Sequence, residues 1–149
     1  MPSLSIPSPV GQLTIEEADD RIVAIRWGDG EAGNGSSLLA EAARQLAAYF
    51  DGRLRDFDLP LAPEGTAFEG RVWAAMQAIP YGQTRSYGDL AGMTGSAPRA
   101  VGRTCGKNPI PIVVPCHRVL AKGGLGGYSG DGGLVTKQRL LALEGALPA

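Results

Sequence analysis

The sequence predicts an α+β chain in two unlike parts: a small mixed α/β unit over residues 1–63 and a mainly helical unit over residues 64–149. Two observations predict this division. Strand-like runs occur early, whereas amphipathic helices with three-to-four apolar spacing fill the second half. Charge changes at the same place: residues 1–63 carry five Lys/Arg against ten Asp/Glu, net −5, and residues 64–149 carry nine against five, net +4. The boundary falls at Leu61-Ala62-Pro63-Glu64-Gly65. A chain of 149 residues with 44% hydrophobic and 19% charged residues sustains a real core and is not disordered.

In the first part, Leu13-Thr14-Ile15 and Ile22-Val23-Ala24-Ile25-Arg26-Trp27 read as two strands joined through the acidic turn at residues 16–20. A polar, Gly-rich loop follows. Ser36 or Ser37 then caps a helix whose Leu39, Ala42, Leu46, Tyr49 and Phe50 recur on one side, and Asp51-Gly52 stops it. Residues 57–61 read as a short third strand or an extended linker. This half holds no nucleophile, base and orienting group together and reads as a scaffold.

The second part opens on Thr66-Ala67-Phe68-Glu69, a capping box. Phe68, Val72, Met76 and Ile79 give its helix one apolar face, and Pro80 ends it. Ser86 caps a short helix through Tyr87, Leu90 and Met93, which Thr94-Gly95-Ser96 breaks. Pro98 begins another, carrying Arg99, Val101, Arg103 and Cys105. Two short helices about a glycine turn, the second rich in arginine, have the outline of a helix-turn-helix. A final helix over residues 134–143, with Leu134, Leu141 and Glu144 on one side, stops at Gly145.

Charge and composition narrow the function. From Arg99 to Lys122 there are five basic residues and no acidic one, a stretch suited to a polyanion, or simply a solvated face. The N-terminus lacks the basic and apolar regions of a secretory signal. No apolar run approaches the roughly 18 residues that span a membrane. Cys105 and Cys116 lie eleven positions apart beside a single histidine in the whole chain, which argues against a structural zinc site.

The chemistry gathers at Pro115-Cys116-His117-Arg118-Val119. Prolines 109, 111 and 115 stiffen the approach. Arg118 and His117 suggest electropositive surroundings that lower the thiol pKa, and the Gly-rich residues 123–133 permit close approach of a ligand. In an extended segment Cys116 and His117 point to opposite sides, so His117 acts as base through a bridging water. It then needs a carboxylate. Glu144, at the end of the helix that packs back on this core, is the choice among five acidic residues in this half. An arbitrary Cys-His pair is more often a buried small hydrophobe beside a core imidazole, and the dyad alone also leaves a hydrolase open.

The run Asn108-Pro109-Ile110-Pro111-Ile112-Val113-Val114-Pro115-Cys116-His117-Arg118-Val119 strongly resembles the active-site signature of O6-alkylguanine-DNA alkyltransferases (methylated-DNA–protein-cysteine methyltransferases). The resemblance extends to Ile79-Pro80-Tyr81-Gly82-Gln83-Thr84-Arg85-Ser86-Tyr87-Gly88-Asp89-Leu90-Ala91, to Arg99-Ala100-Val101-Gly102, to Gly127-Tyr128-Ser129-Gly130, and to Lys137 with Leu140-Leu141-Ala142-Leu143-Glu144-Gly145. It covers residues 66–147 closely and the first 60 in outline. It implies a ribonuclease H-like first domain and a winged helix-turn-helix second domain.

The resemblance also implies the roles. Cys116 is the acceptor, attacking the alkyl carbon on O6 of guanine once and irreversibly, with O4-alkylthymine a further candidate substrate. His117 works through water, oriented by Glu144, and Asn108 braces the turn. Tyr87 donates to the purine, and the Val119 carbonyl receives its exocyclic amine. Tyr128 and Ser129 line the lid, and Arg99 fills the gap left by the flipped nucleotide. The target atom is unreachable in a stacked duplex, so the base must leave the stack. The implied partner is double-stranded DNA containing O6-alkylguanine. The chain is expected to be cytoplasmic and monomeric, with no membrane and no nucleotide, flavin or metal cofactor. A DNA-binding module without transfer chemistry, and a Cys-His hydrolase, are the competing readings. The turn before Arg99 is shorter than in familiar members of the family, and the stretch after Ser129 is slightly extended.

Overall fold

In the computed structural model, which describes residues 2–30, 35–128, 130 and 132–146, the first part is a sheet covered by one helix. Strands β1 (Ser3–Ile6), β2 (Leu13–Ala18) and β3 (Arg21–Trp27) form an antiparallel sheet in that order. The hairpin is tighter than the sequence predicts. β2 continues through Ala18, and only Asp19 and Asp20 turn the chain, with φ of 52° and 61°. Two consecutive left-handed residues make the turn whose twist matches paired strands, and aspartate tolerates that region. A register shift at Glu16/Glu17 absorbs the misfit. β1 has no counterpart in the sequence reading. Residues 57–61 are the linker rather than a strand; among them Leu61 alone bridges, to Ile22.

Helix α1 (Ser37–Phe50) starts where its cap dictates: the Ser36 hydroxyl accepts from the Leu39 N–H at 3.0 Å. Its Leu39, Leu46 and Tyr49 are buried against Leu13, Ile15, Ile22 and Ile25 of the sheet. Helix α2 (Ala67–Gln77) carries the reciprocal Thr66/Glu69 capping box. Its Trp73 is 1% exposed and donates its indole N–H to the Thr104 carbonyl at 3.2 Å.

A two-residue strand β4 (Arg85–Ser86) leads into α3 (Tyr87–Thr94), capped by Ser86 and Asp89 in a second reciprocal box. Gly95 ends α3 at φ +67°, a left-handed conformation that glycine adopts without strain. Helix α4 (Pro98–Gly106) follows with proline in its first turn, completing the helix-turn-helix over α2. After a 3-10 turn at Cys116–Arg118, β5 (Val119–Leu120) pairs in parallel with β4, Arg85 opposite Val119 and Ser86 opposite Leu120. Helix α5 (Gly133–Leu143) closes the fold. Leu134 does not join its inward side: it is 46% exposed, whereas Leu140, Leu141 and Glu144 are buried. One continuous core runs through both parts. Among the described residues no helix is long and apolar enough to cross a membrane.

Candidate active site

Three local devices deliver Cys116 to the centre of the molecule. The β4–β5 pairing ties the start of α3, and so Tyr87, to the residues just after the Cys116–Arg118 turn. Asn108 clamps the approach with both ends of its amide: Nδ2 donates to the Val114 carbonyl at 2.8 Å, and Oδ1 accepts from the Ile110 N–H at 3.0 Å. The Ile25 N–H of β3 donates to the Pro109 carbonyl at 2.9 Å, which fastens this segment to the first sheet. Cys116 is 6% exposed and not disulfide-bonded, like Cys105.

The backbone around Cys116 is a tight turn, not an extended strand, and that redirects its neighbours. His117 and Arg118 both turn away from solvent towards Glu144. His117 Nε2 lies 2.7 Å from Glu144 Oε2; Arg118 donates from Nε to Oε1 at 2.8 Å and from Nη2 to Oε2 at 3.0 Å. Arg118 Nη1 donates to the Ile79 carbonyl at 2.7 Å. The Tyr49 hydroxyl of α1 donates to Glu144 Oε2 at 2.5 Å. Burial opposes charge on Glu144, but hydrogen bonds from His117, Arg118 and Tyr49 outweigh it and hold the carboxyl at about 2.

With Glu144 ionised, the tautomer of His117 is determined. Nε2 must carry the proton in order to donate to the carboxylate, which leaves the lone pair on Nδ1. Nδ1 is buried with no hydrogen-bond partner among the described residues. Burial pushes the imidazole pKa down, Glu144 pulls it back up, and Arg118 and Lys137 add to the lowering. His117 is therefore a buried, neutral imidazole whose Nδ1 lone pair faces away from Glu144.

The thiol corrects the sequence expectation. Burial raises the Cys116 pKa; a hydrogen bond from Asn108 and the charge of Lys137 oppose that rise. The arginine expected to acidify it is engaged with Glu144. At rest Cys116 is a thiol, and its activation depends on removing a proton rather than on a standing thiolate.

On its other side Cys116 opens into a cavity of about 630 Å³, lined by Tyr87, Arg99, Gly102, Cys105 and Tyr128. A second cavity, about 440 Å³, shares Cys116 and Tyr128 and is walled by β3 through Arg26 and Trp27, together with Pro111. Trp27 meets Tyr128 edge to face with centroids 6.3 Å apart. The Tyr128 hydroxyl is buried and has no partner among the described residues. Burial raises the pKa of Tyr87, with Cys105 adding to the rise and a hydrogen bond from the Gly127 backbone opposing it. Gly126, at φ +72°, passes so close to Tyr87 that a Cβ would lie 2.8 Å from its ring. Arg99 is exposed on α4. Ser129 lies outside the described residues.

Sequence reasoning missed three contributors. The sequence suggests Arg118 only as part of electropositive surroundings for the thiol. Tyr49 stands in the sequence only as one of the apolar positions of α1. Lys137, quoted only as part of a motif, is fully buried and spends all three donors on carbonyls: Val119 at 2.7 Å, Leu125 at 2.5 Å and Gly127 at 3.0 Å. It thereby binds β5 to the segment that crosses Tyr87, with its ammonium 5.9 Å from that ring. The Val119 carbonyl already accepts this bond and retains a second lone pair. A lysine four and three positions before Leu141 and Leu140, on the buried side of α5 and just after a Gly-rich loop, is the signal that would have found it.

A buried cysteine, backed by a histidine–glutamate pair and set against a helix-turn-helix, defines a class of domain that brings its own nucleophile to a recognition helix. The chain belongs to the 6-O-methylguanine DNA methyltransferase family. Residues 67–146 match the family's DNA binding domain and residues 4–63 its ribonuclease-like domain. It is 48% identical to a methylated-DNA–protein-cysteine methyltransferase of Mycolicibacterium paratuberculosis, over 94% of this chain and 90% of that one. It is 43% identical to the constitutive methylated-DNA–protein-cysteine methyltransferase of Bacillus subtilis, over 83% and 84% respectively. Among solved structures it is similar to Mycobacterium tuberculosis OGT in complex with DNA, with a TM-score of 0.88 and 42% identity, over 98% of this chain and 94% of that chain.

Proposed function

We propose that the protein repairs DNA by moving an alkyl group from O6 of guanine to Cys116, once per molecule. What carries this reading is the convergence of Cys116, Tyr87, Arg99 and Tyr128 on one cavity beside the helix-turn-helix. In the transfer, the Sγ–carbon bond forms as the carbon–O6 bond breaks. The thiol proton passes through a water to His117 Nδ1, and Glu144 stabilises the imidazolium that results. The electron pair left on the purine is met by the Tyr87 proton, which Tyr87 then regains from the relay. The net change places the alkyl group on sulfur and the thiol proton on guanine. A thioether has no easy return path, so the chain is consumed.

Arg99 fills the stack when the base is extruded, a step that costs a few kcal/mol. The Val119 carbonyl receives the exocyclic amine, Tyr128 and Ser129 close over O6, and Asn108 holds the turn. Exposed Arg99, Arg103, Lys107 and Lys122 supply the phosphate-facing charge; Arg118, being buried, does not. The division into domains at residues 63 and 64, action as a monomer and residence in the cytoplasm belong to the same reading. A single chain holds every named group, and an acceptor thiol needs a reducing compartment.

Intact and peptide mass spectrometry after incubation with an O6-methylguanine oligonucleotide tests it. The expected outcome is one methyl group per chain, on Cys116, absent in Cys116→Ala. Unmodified protein that retains the DNA would point to a binding module. Turnover of an ester or peptide past one equivalent would point to a hydrolase.

A further inference from the structure

The first part of the chain, read from sequence as a scaffold, reaches the relay directly. Tyr49 and Glu144 are 95 positions apart, yet their oxygens are 2.5 Å apart in a buried contact. Glu144 Oε2 is also the oxygen 2.7 Å from His117 Nε2. The tyrosine ring is fixed on three sides, by Phe50, Phe57 and Tyr81, with centroids at 5.2, 5.3 and 6.3 Å. Burial, and after it the charge of Glu144, keeps the phenol protonated. Its hydrogen is therefore a permanent donor.

We infer that Tyr49 is a positioning residue for the alkyl-transfer relay: by donating to Glu144 Oε2 it fixes that oxygen as an acceptor for the His117 Nε2–H and weakens it as counter-ion to an imidazolium. This rests on the alkyl-transfer reading and assigns the first part of the chain a share in the chemistry. Arg118 fixes the carboxylate plane by donating to both oxygens, from Nε to Oε1 and from Nη2 to Oε2, and so does not by itself set the two apart. A third donor on Oε2 draws density from the one atom that His117 addresses. The other charged or titratable groups facing this cluster are Arg118 and Tyr81, with Arg118 5.7 Å and Arg55 5.3 Å from the Tyr81 ring, and Lys137 and Cys116 beside His117. Tyr81 donates to the Leu143 carbonyl at 3.3 Å, not to Glu144. None of these replaces the Tyr49 hydroxyl.

Because His117 is the chain's single histidine, one labelled imidazole reports the whole effect. Nitrogen-15 NMR of histidine-labelled protein follows its tautomer and titration without any substrate. In the wild type the signal stays that of a neutral Nε2–H ring below the ordinary histidine value of about 6.5. In Tyr49→Phe, which keeps the ring, the midpoint moves up by about 0.5–1 pH unit, as expected for loss of one donor to a buried carboxylate. Below both midpoints its reaction with free O6-benzylguanine slows by up to about 10-fold. Replacing Tyr49 alone by 3-fluorotyrosine, a stronger donor of nearly equal size, moves the midpoint down. Phe57→Leu disturbs the same ring packing and leaves the midpoint in place. Superimposable titrations for wild type, Tyr49→Phe and the fluorotyrosine protein would overturn the inference while leaving alkyl transfer intact. A wild type that takes no alkyl group from O6-benzylguanine would overturn the transfer reading, whatever the imidazole does.

Discussion

The two sides of Cys116 are built on opposite plans. Behind it, Glu144 accepts from Tyr49, His117 and Arg118 at once, and every one of these groups is buried. In front of it, Tyr128 holds a buried hydroxyl with no partner among the described residues, and Arg99 projects from α4 into solvent. The rear is organised before any substrate arrives, as charge stabilisation in a low-dielectric site requires. In the proposed function, the front presents donors whose partners come with the substrate. The difference separates what the fold must hold rigidly from what recognition completes.

Glu144→Gln should break the rear most severely. It leaves Arg118 buried without its counter-charge, which costs about 3–5 kcal/mol. Urea unfolding at neutral pH measures the loss, and a change below about 1 kcal/mol would show that the rear is not held by this carboxylate. Acid tests the same group in the wild type. Its folded value of about 2 lies below the ordinary 4.5, so its contribution is complete above pH 4.5 and is lost as pH falls towards 2. His117 adds to the same trend at higher pH: its depressed folded value makes stability fall once acidification passes its ordinary 6.5.

Arg99→Ala should leave the rear untouched and weaken the front. The residue is exposed, so stability stays within about 0.5 kcal/mol. Repair of duplex O6-methylguanine slows by about 10–100-fold if the arginine offsets part of the few kcal/mol of base extrusion. Reaction with free O6-benzylguanine, which needs no extrusion, stays within about twofold. Stopped alkylation assays on both substrates decide it. Equal slowing of the two would erase the distinction between a substrate-completed front and a preorganised rear.

The same contrast explains what could be read from sequence. Caps and turns are local, so Ser36, the Thr66/Glu69 box, Ser86 and the Gly95 break stand in the sequence as they stand in the fold. β1 alternates Leu4 and Ile6 with serines, but four residues between prolines give a weak signal, and β4 and β5 are too short to give any. The rear was legible only in part. Adjacency drew attention to Cys116 and His117, and the closing helix suggested Glu144. Yet the direction in which Arg118 points depends on a tight turn that the prolines do not reveal. The elevated thiol pKa depends on burial contributed by both parts of the chain. Tyr49 meets Glu144 across 95 positions, a pairing that no periodicity encodes.

A smaller effect tests how the rear is kept in place. Ile112 sits at φ +75°, a left-handed conformation that is a genuine outlier for a β-branched residue. The Asn108 clamp spans it, gripping Ile110 on one side and Val114 on the other. Such a backbone conformation costs about 1–3 kcal/mol and persists only when its surroundings impose it. Ile112 and Ile110 are 1% and 0% exposed, so stripping either side chain removes a similar buried volume and costs several kcal/mol, about 2–5 by comparison with alanine series. Burial therefore wins over strain, and Ile112→Gly still destabilises. It should nevertheless destabilise less than Ile110→Gly, by about 1–2 kcal/mol, because at residue 112 alone glycine also relieves the left-handed penalty. Denaturant midpoints of the two variants give the difference directly. Equal losses would mean that the turn beneath Cys116 carries no strain and that the Asn108 clamp merely ties together a backbone already at rest.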